Sequence, residues 1–221
     1  MKLKTQLKIF IFFLIIITAM AGSQAYAGIK PKNVSHAYQQ INGVNLHIIV
    51  VNLKGENVRV TSAFAPGYSD INRNYPRSSM NKIQRIFHPT AMVNGTFFDA
   101  GTNKTVCNVS VNGKLICEGD RGSTIYIDKD NNAGMLLTSR LRGRNIDWSK
   151  YSWAIQSGPS LVYDRQIIYN PYAEGFRNTS LFRNTRRTAI GIRKNGKLIL
   201  VATNNNISLN RMAHIMVKLG C

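Results

Sequence analysis

Acidic residues are scarce in this 221-residue chain, in which 10 Asp and Glu stand against 29 Lys and Arg, a formal net charge of +19. No acid follows Glu174. The chain also lacks the repeated long apolar runs of a multipass membrane protein, and its three cysteines are too few for a disulfide-dense miniprotein. So large a positive surplus favours an anionic partner such as nucleic acid, anionic lipid or phosphorylated glycan, although a generally lysine-rich composition would also explain it.

The common catalytic and metal-binding signatures are absent as well. The sequence contains no H-E-x-x-H, CxxC or G-x-S-x-G motif and no phosphate-binding P-loop. Its histidines share no spacing typical of a metal site; they are His36, His47, His88 and His214. The sequence therefore predicts a protein that uses neither a metal nor a cofactor.

The N-terminus has the pattern of a secretory signal peptide. Met1–Lys8 carries three lysines and no acid, Ile9–Ala21 is apolar apart from Thr18, and Ala25–Ala27 is a small-x-small cleavage site. The apolar run is shorter than the roughly 20 residues that span a bilayer. We predict cleavage after Ala27 and a secreted or periplasmic protein with no stable membrane insertion; an uncleaved membrane anchor is the alternative. Export argues against nucleic acid as the physiological ligand.

The remaining residues, 28–221, predict one β-rich α+β domain of short, mostly antiparallel strands with few helices. Asn112-Gly113 and Asn195-Gly196 are each typical of a tight hairpin turn. Helical spacing of apolar residues occurs at Ser78–Phe87 and again from Leu209 to Leu219. Strands are predicted at Leu46–Val51, Asn57–Thr61, Ala91–Phe97, Val106–Val111, Lys114–Glu118, Thr124–Asp128, Trp153–Gln156, Leu161–Tyr163, Gln166–Ile168, Thr188–Ile192 and Leu198–Thr203.

One candidate site motif reads Asn-Gly-Thr-Phe-Phe-Asp and occupies Asn94–Asp99, directly after a predicted buried strand. An amide side chain and a glycine at a strand end suit ligand contacts. Asp99 follows two aromatic residues, so we expect partial burial to raise its pKa towards that of a general acid. An ordinary Asn-Gly turn with a capping Asp is the alternative.

Two further motifs carry candidate ligand contacts. Ser157–Ser160 lies between predicted strands and reads as a turn, unless its backbone amides face an anion. Arg186 and Arg187 precede a strand, where a guanidinium could hold a phosphate through two hydrogen bonds. A solvated arginine pair is the alternative.

Taken in this order, the three motifs resemble the phosphodiester glycosidase family, and the resemblance extends from Leu46 to Cys221. It implies an α+β fold and hydrolysis of a sugar-1-phosphodiester of the N-acetylglucosamine type. Bacterial members are exported and often linked to envelope polysaccharide, so the resemblance also implies a phosphorylated or anionic glycan as the partner. The oligomeric state is left open.

The resemblance also implies roles for residues at matching positions. Asp99 would be the candidate acid, Asn94 would orient the substrate and Arg187 would stabilise the phosphate charge. The implied substrate-binding residues are Gly95, Phe98, Gly158, Pro159 and Thr188.

The family pattern continues past the equivalent of Cys221 into a strand that ends in Asp-Gly-Gly. We therefore expect this sequence to lack a C-terminal segment, and with it the carboxylate that would pair with Asp99. The form that ends at Cys221 is expected to be poorly stable or inactive. The alternative function, from another class, is a non-catalytic envelope protein that binds anionic polysaccharide.

Two cysteines flank the first predicted hairpin turn. A two-residue turn would pair Val111 with Lys114 and put the thiols of Cys107 and Cys117 on opposite faces. A three-residue loop with a glycine bulge would pair Ser110 with Lys114 and set the cysteines face to face. We expect the bulged loop and a facing pair able to form a disulfide; two separately buried thiols are the alternative.

Overall fold

A computed structural model describes residues 14–19, 32–137, 145–177 and 179–221, so the predicted cleavage site at Ala27 lies outside the described residues. The strands are β1 Leu14–Ala19, β2 Val34–Ile41, β3 Val44–Val51, β4 Val58–Ala63, β5 Ala91–Asn94, β6 Val109–Val111, β7 Lys114–Cys117, β8 Ser123–Asp128, β9 Ala133–Leu136, β10 Tyr151–Ser157, β11 Val162–Tyr163, β12 Gln166–Ile167, β13 Thr188–Ile192 and β14 Leu198–Thr203. The helices are α1 Met80–Phe87 and α2 Leu209–Lys218, with short 3-10 turns at Trp148–Lys150 and Thr179–Phe182.

These strands form a β-rich α+β domain, as predicted. The order is β13-β14-β3-β2 in a four-stranded sheet and β7-β6-β10-β8-β9 in a five-stranded sheet. A three-stranded sheet has the order β4-β1-β5, and β11 pairs with β12 alone. Within the described residues all of these strand pairs are antiparallel.

The four-stranded sheet is covered on both faces, because alternate residues of its strands belong to two hydrophobic clusters. Leu46 and Ile199 pack with α2 on one face. Leu198 and Leu200 face the other way, into a cluster that contains Trp153 of the five-stranded sheet. Each large apolar side chain buried in this way stabilises the fold by about 1.5–3 kcal/mol.

Helix α2 begins at Leu209, as predicted, whereas α1 begins at Met80, two residues after its predicted start at Ser78. Ser79 and Ser208 are the N-caps, and each side-chain oxygen accepts a hydrogen bond from a backbone N–H three residues on. Met212 and Ile215 of α2 are buried against the sheet. No helix in the described ranges is long and apolar enough to cross a membrane.

The hairpin of β6 and β7 differs from the predicted one in how its cysteines are paired. Its turn has two residues, since Val111 pairs with Lys114 and both turn residues have positive φ, 51° for Asn112 and 76° for Gly113. The irregularity lies further along, between Val109 and Ser110, so that Cys117 pairs with Val109. The bulged-loop prediction is therefore wrong.

The two cysteines of this hairpin are free, buried thiols. Cys107 donates to the Arg121 carbonyl, and the Cys117 sulfur lies 2.9 Å from the Tyr68 hydroxyl. Burial raises the pKa of Cys107 to about 11 and that of Cys117 to about 12. Both thiols are therefore protonated and unreactive at neutral pH.

Strand β1 occupies the middle of the three-stranded sheet. Leu14 pairs with Ala63 on one side and with Asn94 on the other. The predicted signal peptide includes this strand, so cleavage after Ala27 would leave the facing edges of β4 and β5 unpaired.

We expect removal of residues 1–27 to lower the thermal midpoint by on the order of 10 °C. Several ladder hydrogen bonds of about 0.5–1.5 kcal/mol each would be lost, and each kcal/mol corresponds to about 2–4 °C in a protein of this size. The measurement is a thermal melt of the full chain, produced without export, beside the shortened chain.

Substitutions within β1 test the same strand pairing without changing the length of the chain. Ile16→Pro in the full chain should reproduce part of the loss, because proline removes a ladder hydrogen bond from a central strand, whereas Ile16→Val should not. Equal midpoints for the full and shortened chains would contradict the pairing of β1.

Candidate active site

A cavity of about 260 Å³ opens where strands of different sheets meet at one edge. Strand β5 ends there at Asn94 and β10 at Ser157, while β8 begins at Ser123 and β13 at Thr188. Most of the wall is apolar, and α2 closes one side with Leu209 and Met216. The sequence-predicted residues that line it are Asn94, Gly95, Gly158, Pro159 and Thr188.

A hydrogen bond between side chains links two of these residues. The Thr188 hydroxyl donates to Asn94 Oδ1 at 2.6 Å and joins the edge of the four-stranded sheet to the end of β5. These residues are 94 positions apart, so the contact depends on sheet packing alone. It orients the Asn94 amide and leaves its NH2 group as a donor for a bound molecule.

The loop after β10 is held by a buried carboxylate. Glu174 is 7% exposed, and its Oε1 accepts the backbone N–H of Ser160 at 2.8 Å. Its Oε2 accepts from the hydroxyls of Ser160 at 2.9 Å and Ser123 at 3.3 Å. Burial raises the pKa of Glu174, and these hydrogen bonds oppose the increase. The carboxylate therefore ties together two walls of the cavity that come from separate strands.

Gly158 is required by close packing at the same loop. A Cβ atom placed there would lie 2.9 Å from Cε2 of the Phe176 ring. Phe176 also packs against Phe97 of the first motif, with ring centroids 5.2 Å apart. The Phe176 ring therefore lies between the first and second motifs and contacts both, which their sequences alone do not reveal.

Asp99 has a different environment from the one predicted. Its Oδ1 accepts the backbone N–H groups of Gly101 and Thr102 and the Thr102 hydroxyl, at 2.8–3.1 Å. The hydrogen bonds from Thr102 are the main reason why its pKa is lowered rather than raised. Neither Asp99 nor Phe98, which bridges to Thr105, is among the lining residues. The predicted rise in pKa is wrong, and the carboxylate stabilises its own loop.

Replacing Asp99 with Asn should remove an acid-dependent part of the stability. The folded-state pKa lies below the unfolded value, so the carboxylate stabilises the fold above the unfolded value of about 4. This contribution is lost as the pH falls through the lower folded-state value. Urea midpoints from pH 6 down to about pH 2 should therefore show wild type and Asp99→Asn converging at low pH.

An exposed acid on another loop supplies the control for this titration. Asp130→Asn removes one carboxylate without touching the Asp99 loop, so it corrects for the general effect of charge. A constant difference between wild type and Asp99→Asn at every pH would contradict the assignment.

Arg187 points away from the cavity. Its guanidinium donates to the backbone carbonyls of Leu181 at 2.8 Å, Arg183 at 2.5 Å and Ile207 at 3.3 Å. Arg187 is not among the lining residues, although Thr188 beside it is. Contrary to the predicted phosphate clamp, the arginine connects three loop carbonyls.

We expect Arg187→Lys to lower the free energy of unfolding by about 2–4 kcal/mol, because lysine cannot reproduce the branched contacts with three carbonyls. Urea denaturation measures the change. Arg186→Lys, at the exposed neighbouring position, is the matched control and should change stability by less than about 0.5 kcal/mol. If Arg187→Lys left the stability unchanged but weakened phosphate binding, the result would support the predicted phosphate clamp instead.

The described lining contains no lysine or arginine, and Asp164 is its carboxylate. Asp164 lies in the turn between β11 and β12, with a φ of 47°. Sequence reasoning missed it, because an acid in a short turn has no distinguishing pattern. Across the described residues no group of three or more His, Cys, Asp or Glu side chains is placed to hold a metal ion.

The fold and the site together define a class: a β-rich α+β domain whose motifs meet at the edge between sheets. A model of the phosphodiester glycosidase family matches residues 88–221, more than half of the chain, and the chain belongs to that family. No curated protein sequence matches it.

Solved structures show the same fold at low identity. A hypothetical protein from Synechocystis aligns with a TM-score of 0.60 and 12% identity, over 86% of this chain and 55% of its own. The catalytic domain of zebrafish N-acetylglucosamine-1-phosphodiester alpha-N-acetylglucosaminidase, auto-inhibited by its pro-peptide, aligns with a TM-score of 0.58 and 18% identity. That alignment covers 93% of this chain and 72% of the zebrafish one.

Proposed function

We propose that this protein hydrolyses a sugar-1-phosphodiester of the N-acetylglucosamine type, releasing the free sugar and a phosphomonoester. The observation that carries the proposal is the 2.6 Å hydrogen bond between Thr188 and Asn94. It joins the first and third family motifs at a cavity that the second motif, Gly158-Pro159, also lines. Family membership supports the same reaction class.

In this proposal the residues at and around the cavity have separate roles. The NH2 group of Asn94 orients the sugar, since its carbonyl oxygen is occupied by Thr188. Asp164, the lining carboxylate, is the candidate to protonate the leaving oxygen or to activate water. Glu174 keeps the Ser160 loop in place, and Asp99 keeps the first motif in shape.

We place this activity outside the cytoplasm, in the periplasm or beyond it. The basic, apolar and small-x-small segments of residues 1–27 support export. N-terminal sequencing of the exported protein tests this: a mature chain that starts at Gly28 is expected, and one that retains Met1 would contradict cleavage.

The reaction is tested by the release of free N-acetylglucosamine from an N-acetylglucosamine-1-phosphodiester. Thr188→Val should lower kcat/KM by about 10–100-fold, because the Asn94 amide loses its fixed orientation. Thr188→Ser keeps the hydroxyl and should retain most of the activity. Absence of turnover in the wild-type chain would contradict the proposal and agree with the inactivity that the sequence predicts for a form ending at Cys221. Equal rates for Thr188→Val and Thr188→Ser would contradict the role of the Thr188 hydroxyl.

The second candidate function is non-catalytic binding of an anionic polysaccharide. The charge of +19 favours it, because two ion pairs, Lys104–Asp70 and Lys150–Asp147, are found among the described residues and most bases are left for solution contacts. Salt-sensitive binding of an anionic polysaccharide without release of sugar would favour this candidate over hydrolysis.

A further inference from the structure

Two histidines on the neighbouring strands β2 and β3, 11 positions apart, form a pair on the surface of the four-stranded sheet. His36 Nε2 lies 3.1 Å from His47 Nδ1, and the two rings are nearly coplanar and meet edge to edge, with centroids 5.4 Å apart and an interplanar angle of 12°. Tyr38 packs against His47 with a centroid distance of 4.8 Å. All three side chains are exposed. The antiparallel pairing of β2 with β3 creates this cluster.

Strand register puts this pair on the sheet face that Thr188 occupies. Thr188 lies opposite Ala202, Ala202 lies opposite His47, and His47 lies opposite Tyr38. Residues directly opposite one another in a sheet share a face, and neighbouring strands are about 4.8 Å apart. The backbone of His47 is therefore about 10 Å from that of Thr188 along one row of residues.

The proposed substrate needs hydrogen-bond donors for its phosphate. The described lining of the cavity has no lysine or arginine, and Arg187 is directed towards backbone carbonyls. A sugar with its phosphate has a length on the order of 10 Å, so a sugar bound beside Thr188 can extend its phosphate to the histidine pair.

We propose that His47, held in place by its hydrogen bond with His36, binds the phosphoryl group of the substrate, and this rests on the proposed function. If His36 donates its Nε2 proton to His47 Nδ1, then His47 carries its own proton on Nε2 and offers it to a phosphate oxygen. His36 thus acts as a positioning residue for His47. The ligand class is a sugar 1-phosphate or sugar phosphodiester, and inorganic phosphate shares the chemistry.

NMR titration of the histidine ring C–H signals of the full chain tests this inference. The probes are N-acetylglucosamine 1-phosphate and inorganic phosphate, each with a chelator present so that metal ions do not compete. We expect the His36 and His47 signals to shift in a saturable way. His88 and His214, which are also exposed, are internal controls and should not shift.

Comparing the affinities for the two probes distinguishes a site for a sugar phosphate from a site for free phosphate. Tighter binding of the sugar phosphate than of inorganic phosphate would support one site that holds sugar and phosphate together, as proposed. Equal affinities would overturn that assignment and leave a general phosphate site.

Backbone signals separate failure of this inference from failure of the proposed function. A shift of the Asn94 and Thr188 amides with unmoved His47 signals would overturn the phosphate assignment and leave the proposed function standing. If neither set of signals moves with the sugar phosphate, both proposals fail.

Variants supply a readout that does not depend on turnover. His47→Ala should weaken binding of the sugar phosphate about tenfold or more, the effect of one lost hydrogen bond to a charged group. His47→Gln keeps a hydrogen-bond donor and should recover part of the lost affinity, while His214→Ala should bind the sugar phosphate as tightly as wild type does. Equal affinities for His47→Ala and wild type, with thermal midpoints that match, would overturn the inference.

Discussion

Burial of the four-stranded sheet on both faces is the constraint on which the rest of the structure depends. Leu198, Ile199, Leu200 and Val201 of β14 are all at most 2% exposed, and they alternate between two hydrophobic clusters. A slip of one residue would exchange the side chains of the two faces, and both clusters would have to repack. Packing against α2 and against the five-stranded sheet therefore sets the register of β13, β14 and β3.

The same register decides which side chains reach the candidate site. Thr188 lies on the face that meets Asn94, and Arg187, its neighbour, lies on the other face, where it donates to Ile207 and Leu181. His47 shares the face of Thr188 for the same reason. The site thus depends on the packing of apolar side chains that do not themselves contact a substrate.

The buried and the exposed charges of this protein have different effects. Inside, Glu174 is a buried carboxylate that is satisfied by one backbone and two hydroxyl donors, so it connects loops without a cationic partner. Outside, the surplus of lysine and arginine is mostly unpaired among the described residues, since the two ion pairs there are 3.9 and 3.8 Å long and at least partly exposed. Such a surface attracts polyanions over about a Debye length and loses this attraction in salt.

The fold class and the hairpins at Asn112-Gly113 and Asn195-Gly196 could be predicted because their causes are local. Asn112-Gly113 adopts the positive φ values of a two-residue turn, and Ser79 and Ser208 cap helices that their own sequences favour. Strand β2 was missed because six of its eight residues are exposed. Its polar and small residues do not show the alternation of apolar and polar side chains by which a strand is recognised. The bulged loop at Cys107 and Cys117 was wrong, because the irregularity lies at Ser110, beyond the turn.

The sequence by itself determined the family motifs, the two helices and the positions of most strands, since each depends on residues close together in the chain. Only the tertiary structure decided that Asn94 meets Thr188 and that the Arg187 guanidinium reaches the Ile207 carbonyl. These outcomes depend on which face of a strand a side chain occupies and on which strand lies beside it. Burial of distant apolar residues sets both, and no local pattern records it.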